Sequence, residues 1–243
     1  MKQEPGADAD PAVTSKRAAA RLAAGMVESG MKLGLGTGST AALFLEELAR
    51  RLRTGEIAGV RGVPTSRRTA EHATRLGIPL ATLDELPDLD LVVDGADEVD
   101  PHLDLIKGLG GALLWEKIVA QAGRRMVVVA DGSKLVERLG ARSPVPVEVV
   151  RFGIGAQHAF LRDLGATTSL RSGPDGEAFR TDGGHNIIDA RFPGGVDDPP
   201  ALERILSRRA GIVESGLFLG MAGLAIVGDG NSARVMERRG GTA

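Results

Sequence analysis

The stretch Leu89-Asp-Leu-Val-Val-Asp-Gly-Ala-Asp97 is the most informative for the fold, because an apolar, β-branched run ends there in a polar, glycine-bearing turn. The run is typical of a buried strand that stops at Asp94. Three more polar glycine-bearing turns follow apolar stretches: Gly34-Leu-Gly-Thr-Gly-Ser-Thr40, Lys107-Gly-Leu-Gly-Gly111 and Ala130-Asp-Gly-Ser-Lys134. If the apolar stretches are parallel strands, the four turns meet at one edge of a sheet, where open α/β sheets bind ligands.

Helix-like and strand-like patterns alternate through the first half of the chain. Helices are expected at residues 14–28, 40–53, 66–76 and 112–122, and strands at 31–36, 60–64, 78–83, 89–93, 103–106 and 125–130. Such alternation predicts an α/β fold whose main domain is Rossmann-like, with a mostly parallel sheet covered by helices.

The pattern changes near Ser143-Pro-Val-Pro146. Strands are then expected at 147–150, 167–171, 178–192 (with a turn at 182–184) and 212–219, and helices at 156–164 and 200–210. This β-α-β-β-α-β order is the ferredoxin-like arrangement. We therefore predict a smaller α/β domain at residues 144–215. The large domain would comprise residues 13–143 and 216–236, including a last strand at 224–227, and residues 1–12 and 237–243 would be disordered tails.

The composition excludes several classes of protein. The 243 residues are 42% hydrophobic and 26% charged, which is typical of a soluble globular protein, and the net charge of -2 gives no reason to expect nucleic acid or an anionic membrane as a partner. No apolar run approaches the roughly 18–20 residues that span a bilayer. Without cysteine, disulfides, thiolate metal sites and cysteine nucleophiles are excluded. The acidic start lacks the features of a signal peptide, so a cytoplasmic location is the default expectation.

The turn Thr37-Gly-Ser-Thr40 opens a predicted helix. Ser39 stands where a dinucleotide fingerprint needs its third glycine, and no Gly-Lys-Ser/Thr sequence follows, so neither common nucleotide motif is complete. Free amides and the helix dipole at such an end bind anions. An ordinary capped helix start is the alternative interpretation.

Asp94 and Asp97 lie at and just beyond the end of a strand. Two carboxylates placed together raise the pKa of one of them, and such pairs perform acid–base chemistry or bind sugar hydroxyls. A solvated acidic loop or a Mg²⁺ site would give the same pattern. The four histidines show no metal-ligand spacing.

Lys107, Glu116 and Lys134 are further candidates for the site. Lys107 could neutralise developing negative charge, and the glycines after it allow close backbone approach to a ligand. Glu116 follows Leu113-Leu-Trp115, so it could be desolvated with a raised pKa suited to accepting a proton from carbon. It could equally be a surface glutamate paired with a basic side chain. Lys134 would contact a phosphate or carboxylate, or else be a solvated loop lysine.

Taken together and in this order, the segments resemble the type A ribose-5-phosphate isomerases. The resemblance runs from about Thr14 to Val235. It is carried by Thr37-Gly-Ser-Thr40, Asp94-Gly-Ala-Asp97, Lys107-Gly-Leu-Gly110, Glu116-Lys117, Ala130-Asp-Gly-Ser-Lys134 and Pro144-Val-Pro-Val-Glu148. Two departures are Trp115, where the family usually has arginine, and Leu109, where it often has glycine.

The resemblance implies an enzyme that interconverts D-ribose 5-phosphate and D-ribulose 5-phosphate in the non-oxidative pentose phosphate pathway. It implies no metal or organic cofactor, and a homodimer or homotetramer. The substrate-binding positions carried over are Thr37, Gly38, Ser39, Thr40, Asp94, Gly95, Ala96, Asp97, Lys107, Gly108, Leu109, Gly110 and Lys134, together with Lys16, which matches an N-terminal lysine near the phosphate. Which of these groups takes the phosphate stays open.

The resemblance also implies a mechanism through an enediolate. Glu116 would move the proton between C1 and C2, and Lys107 with nearby backbone amides would stabilise the oxyanion. Asp94 or Asp97 would move hydroxyl protons and assist ring opening.

Two other classes of protein stay open at this point. One is a non-catalytic sugar-phosphate-sensing module, which normally carries a DNA-binding domain. The other is a CoA-transferase-like enzyme of related fold with a glutamate nucleophile.

Overall fold

The computed structural model describes residues 10–238. Its helices are α1 Pro11–Ala24, α2 Ser39–Arg53, α3 Arg67–Arg75, α4 Leu113–Ala122, α5 Ile154–Asp163 and α6 Pro199–Ser207. Its strands are β1 Lys32–Leu35, β2 Arg61–Pro64, β3 Leu91–Gly95, β4 Glu98–Val99, β5 Leu105–Ile106, β6 Met126–Asp131, β7 Val145–Val149, β8 Thr167–Leu170, β9 Asn186–Arg191, β10 Ile212–Ser215, β11 Leu217–Phe218, β12 Ala222–Asp229 and β13 Ser232–Glu237. None of the helices within residues 10–238 has the length and hydropathy of a membrane-spanning segment.

The central sheet has six strands in the order β13-β12-β6-β3-β1-β2. All its neighbours are parallel except the edge pair β12 and β13. Every residue of β6 is buried, because helices cover both faces of the sheet. Successive residues of β6 serve opposite cores: Val127 and Val129 pack towards α1 and α2, while Met126 and Val128 pack towards α4. The predicted mostly parallel, helix-covered sheet is confirmed.

The second sheet is antiparallel, with the order β10-β7-β9-β8. Together with α5 and α6 it forms a third hydrophobic core. The strand order is that of a ferredoxin-like unit, as the β-α-β-β-α-β pattern predicted. The sheet spans Val145–Ser215, while the domain boundaries derived from the sequence stay a prediction.

Several elements differ from the sequence-based expectation. Residues 78–83 form no strand and make a single bridge between Leu80 and Gly62. The run expected at 212–219 is split at Gly216, where a Cβ would lie 2.3 Å from the Lys107 carbonyl oxygen. Its second half, β11, joins β5 and β4 in a small three-stranded sheet. The strand expected at 178–192 is limited to Asn186–Arg191, and β13 was not expected.

The chain ends also differ from the prediction. Residues 1–9 and 239–243 of the predicted tails lie outside the described range. Residues 11 and 12 belong to α1, which begins early because the side chain of Asp10 accepts a hydrogen bond from the Ala12 amide (2.9 Å) and Pro11 occupies the first helical position. Glu237 belongs to the edge strand β13.

Candidate active site

Four loops at the carboxyl ends of β1, β3, β5 and β6, together with α3 and α4, enclose one cleft. It contains about 490 Å³ of empty space, including the part open to solvent, which suits a small ligand. The cleft is lined by Thr37, Gly38, Ser39, Thr40, Arg68, Gly95, Ala96, Asp97, Lys107, Gly108, Gly110, Glu116 and Lys134. Twelve of these positions were site candidates from the sequence, and Arg68 was not.

The short hairpin of β4 and β5 brings Asp97 and Lys107 together. It carries the chain out from the end of β3 and back, and the Asp97 amide donates to the Ile106 carbonyl (2.8 Å). Residues 107–111, which we call the lysine turn, therefore start beside the end of β3. A Cβ on Gly108 would lie 2.6 Å from Cβ of Leu113, so glycine there allows the turn to run closely into α4.

Lys107 is the cation at the base of the cleft. Its side chain is 2% exposed, and its Nζ lies 3.0 Å from Asp94 Oδ2 and 3.4 Å from Glu116 Oε2. The same Nζ donates to the Gly95 carbonyl (2.6 Å) and lies 5.4 Å from the centroid of the Phe218 ring. A buried ammonium is tolerated only with such partners, so Lys107 is held in place by opposite charge.

Lys107, Asp94 and Glu116 alter one another's pKa values. Burial opposes the charged form of Lys107, but the carboxylates of Asp94 and Glu116 raise its pKa above the ordinary value. Burial raises the pKa of Asp94. Burial also raises the pKa of Glu116 to about 8, with Lys107 acting against the rise and the charges of Asp94 and Asp97 adding to it. Glu116 is therefore a carboxyl group that exchanges its proton near neutral pH.

Glu116 owes its position to the packing of α4. Leu113, Val119 and Ala120 are buried on this helix. Lys117 points away from the cleft, where its Nζ lies 2.7 Å from Glu214 Oε1 and donates to the Ser215 carbonyl (2.9 Å). Glu116, on the neighbouring position of the helix, faces Lys107 instead. Within residues 10–238, no donor makes a hydrogen bond to the buried Glu116 Oε2.

Asp94 lies behind Lys107, fully buried and not among the residues that line the cleft. Its Oδ1 accepts hydrogen bonds from the amides of Thr37 (2.9 Å) and Gly95 (2.7 Å). A Cβ on Gly36 would lie 2.2 Å from this oxygen, so only glycine fits there. Asp94 thus holds the turn after β1, and its predicted direct contact with a substrate stays a prediction.

Asp97 lies in the cleft wall, and its Oδ2 accepts a hydrogen bond from the Leu109 amide (2.9 Å). The Leu109 side chain is 39% exposed and does not line the cleft. Leu109 therefore contacts the cleft wall through its backbone amide and not through its side chain. Trp115 is half-buried and also lies outside the lining.

The turn after β1 uses its two hydroxyls differently. The Thr37 hydroxyl is committed to a buried cluster with Thr65, Ser66 and Thr69, at 2.8–2.9 Å. Ser39 is exposed at the start of α2, which has no side-chain cap. The first amides of α2 therefore have no acceptor within the helix and form an anion-binding end.

Basic side chains lie around the cleft at different distances from it. Lys134 ends a 3₁₀ turn whose start, Asp131, accepts a hydrogen bond from the Ser133 amide (2.9 Å). Lys16 does not line the cleft, and its Nζ lies 3.9 Å from Oδ2 of Asp131, at the start of this turn. Arg68, in the first turn of α3, lines the cleft and makes no ion pair in the part of the chain that the structure describes. The sequence signal that could have identified Arg68 is its position shortly after β2, because β2 ends at the same edge of the sheet.

The residues described by the structure contain no group of three or more histidine, aspartate or glutamate side chains placed to hold a metal ion. The functional groups of the cleft are two carboxyl groups, an ammonium at its base, free helix amides and basic side chains at the edge. Such a set can move a proton while fixed positive charge stabilises an anion.

The chain is similar to known proteins in sequence and in fold. The family model of ribose 5-phosphate isomerase A (phosphoriboisomerase A) matches residues 61–232. Ribose-5-phosphate isomerase A of Roseiflexus castenholzii is 55% identical over 212 residues, which is 87% of this chain and 90% of the relative. That of Rhodopseudomonas palustris is 52% identical over 92% of this chain and 97% of the relative. A D-ribose-5-phosphate isomerase solved with phospho-erythronic acid superposes with a TM-score of 0.89, at 42% identity over 92% of this chain and 98% of the other.

Proposed function

This chain belongs to the ribose-5-phosphate isomerase A family and interconverts D-ribose 5-phosphate and D-ribulose 5-phosphate, and we propose that Glu116 carries the transferred proton. The observation that supports this role is a buried carboxyl group in the cleft wall, 3.4 Å from the Lys107 ammonium, whose pKa is raised to about 8. A base with such a pKa is matched to proton abstraction next to a carbonyl near neutral pH.

In the proposed reaction, Glu116 takes the proton from C2 of the open-chain aldose and returns it to C1. The C–H electron pair forms a C1–C2 double bond while the carbonyl π pair moves onto O1, which gives an enediolate. The hydroxyl proton then passes from O2 to O1, with Asp97 as the proposed carrier, and the double bond takes the proton back at C1, so that the carbonyl group ends at C2. Lys107 stabilises the negative charge of the enediolate, and because Asp94 already fixes the ammonium, little reorganisation is needed when the charge appears.

The phosphate is proposed to bind at the open side of the cleft. Lys134 and the free amides at the start of α2 supply positive charge there, and Ser39 adds a hydroxyl. Asp97 also lines the cleft, and in this proposal it exchanges hydroxyl protons and assists ring opening. Lys16 would act on the phosphate only through its effect on the turn at Asp131.

We also propose a cytoplasmic homodimer or homotetramer, as the resemblance implies. Sedimentation velocity on the purified protein tests the assembly, and a single monomeric species would contradict it.

The function is tested by following ribose 5-phosphate with the purified enzyme in D₂O by NMR, with a chelator present. We expect D-ribulose 5-phosphate to form with deuterium at the exchanged carbon, because a carboxyl base exchanges its proton with solvent. Binding of ribose 5-phosphate without turnover would indicate a sensing module. In a separate experiment, mass spectrometry after exposure to an acyl-CoA would reveal a covalent adduct if the protein had transferase chemistry. Either result would contradict the proposal.

A further inference from the structure

Arg171 belongs to the antiparallel-sheet unit, which consists of β7 to β10 with α5 and α6, and its side chain reaches the lysine turn. It follows directly after β8, and its Nη1 donates to the carbonyl oxygens of Gly108 (2.8 Å) and Leu109 (3.0 Å). More than sixty residues separate the partners in sequence. A guanidinium bound to two successive carbonyl groups holds both peptide groups in one orientation.

Arg171 is itself fixed. Its Nε donates to Asp189 Oδ2 (2.9 Å), and its Nη2 pairs with the other oxygen of the same carboxylate. The Phe179 ring lies 6.0 Å from the guanidinium and packs against the end of the lysine turn, where a Cβ on Gly111 would be 2.3 Å from Phe179 Cζ. The Arg171 side chain is 12% exposed, so water competes little for these contacts.

The two peptide groups that Arg171 binds carry the N–H groups of Leu109 and Gly110, next to residues that line the cleft. The amide on the far side of the Gly108 carbonyl belongs to Leu109 and donates to Asp97 (2.9 Å). The amide on the far side of the Leu109 carbonyl belongs to Gly110, which lines the cleft and donates to no acceptor within residues 10–238. A cation on a peptide carbonyl strengthens its N–H as a donor, because hydrogen bonds in a chain polarise one another.

We propose that Arg171 is a positioning residue for the isomerisation, orienting and polarising the Leu109 and Gly110 amides without touching the substrate. The inference rests on the proposed function, because it takes the cleft as the site of proton transfer. Through Arg171, the antiparallel-sheet unit determines where Asp97 is held and makes the Gly110 amide a donor to the developing oxyanion. The effect belongs to the transition state, so it should appear in kcat more than in KM.

The test compares Arg171→Met with Arg191→Met. Arg191 is a suitable control because it also donates to a backbone carbonyl, that of Arg142 (2.9 Å), away from the cleft. We expect Arg171→Met to lower kcat by up to about 10²-fold, which is what a 1 Å misplacement of a catalytic group can cost, with KM changed less than about threefold. Arg171→Lys should recover part of the rate, because lysine keeps the charge but not the paired geometry. Arg191→Met should keep the parent kcat.

Asp189→Asn is a second test of the same role, because it keeps Arg171 but removes the carboxylate that fixes its guanidinium. We expect it to lower kcat in the same direction, and the double variant with Arg171→Met to lose little more than Arg171→Met alone. Thermal unfolding by circular dichroism shows that the variants are folded at the assay temperature. A kcat for Arg171→Met within about threefold of Arg191→Met, or fully additive losses in the double variant, would overturn the proposal. Full activity of Glu116→Gln would instead overturn the proposed role of Glu116 and leave the role of Arg171 to be judged by its own variants.

Discussion

The base of the cleft and its open edge differ in how their charges are held. At the base, the side chains of Asp94, Lys107 and Glu116 are at most 4% exposed, and both carboxyl groups lie within 3.4 Å of the Lys107 ammonium. At the edge, Ser39 and Arg68 are exposed and Lys134 is half-buried. Dry, fixed charges are strong and perturb pKa values, whereas hydrated side chains attract an anion at little structural cost. This difference supports the proposed division, with proton transfer at the base and phosphate binding at the edge, which the following predictions test.

The largest effect is expected from Lys107→Met. It leaves two buried carboxyl groups without their cation and removes the charge that stabilises the enediolate, so turnover should fall below detection. Loss of one partner of a buried pair typically costs about 3–5 kcal/mol of unfolding free energy, which chemical denaturation would measure.

Lys117→Met is the matched control for that experiment. Lys117 is also a buried lysine, paired with Glu214 at 2.7 Å, but it lies outside the cleft. It should lose stability and keep measurable turnover. If both variants lose the same fraction of activity, the base of the cleft has no special role.

The next effect is the pH dependence of kcat/KM. Glu116 must be ionised to take a proton, and burial raises its pKa to about 8. As the pH increases towards this pKa, kcat/KM for ribose 5-phosphate should rise roughly tenfold per pH unit. Above the pKa, kcat/KM should be constant. The measurement is a pH series from 7 to 9, where the substrate phosphate is already doubly ionised. A profile that is flat or falls over this range would contradict a base of raised pKa.

At the open edge, Lys134→Ala should raise KM about tenfold while kcat changes little, because one charge-assisted contact to the phosphate is lost. Initial rates over a range of substrate concentrations separate the two constants. A loss confined to kcat would move Lys134 from binding to chemistry.

The smallest effect is expected from Arg68→Ala, which removes an exposed and hydrated cation at the same edge. KM should rise about threefold at low ionic strength, and the difference should shrink as salt is added. Arg67→Ala is the control: Arg67 is the neighbouring residue, has an exposed side chain near Asp182, and does not line the cleft. Equal KM values for the two variants would exclude a role for Arg68 in binding.

Much of the fold could be predicted because its signals are local. The buried strands β3 and β6 are apolar runs, and the helix α2 buries Ala41, Phe44, Leu45 and Leu48 on one face. β13 was missed because it is an exposed edge strand without an apolar face. The split of the 212–219 run depends on the close approach of Gly216 to the Lys107 carbonyl, a contact between distant segments that no local pattern contains.

In the candidate site too, local sequence patterns could be predicted and contacts between distant segments could not. The turns that line the cleft could be found because each directly follows a strand. The position of Asp94 behind Lys107, and the use of Leu109 through its amide, could not be found because they depend on which atoms face each other after folding. Arg171 is the strongest case, since nothing near it in the sequence indicates that it binds the carbonyls of Gly108 and Leu109.

The central claim is that Glu116 carries the proton between the two carbons, and solvent exchange with Glu116→Gln tests it most directly. The amide is nearly the same shape but cannot accept that proton. In D₂O, the variant should remain folded and bind ribose 5-phosphate, while ketose formation and deuterium incorporation fall together by at least roughly 10²-fold. Incorporation of deuterium at the parent rate in the folded variant would show that another group moves the proton.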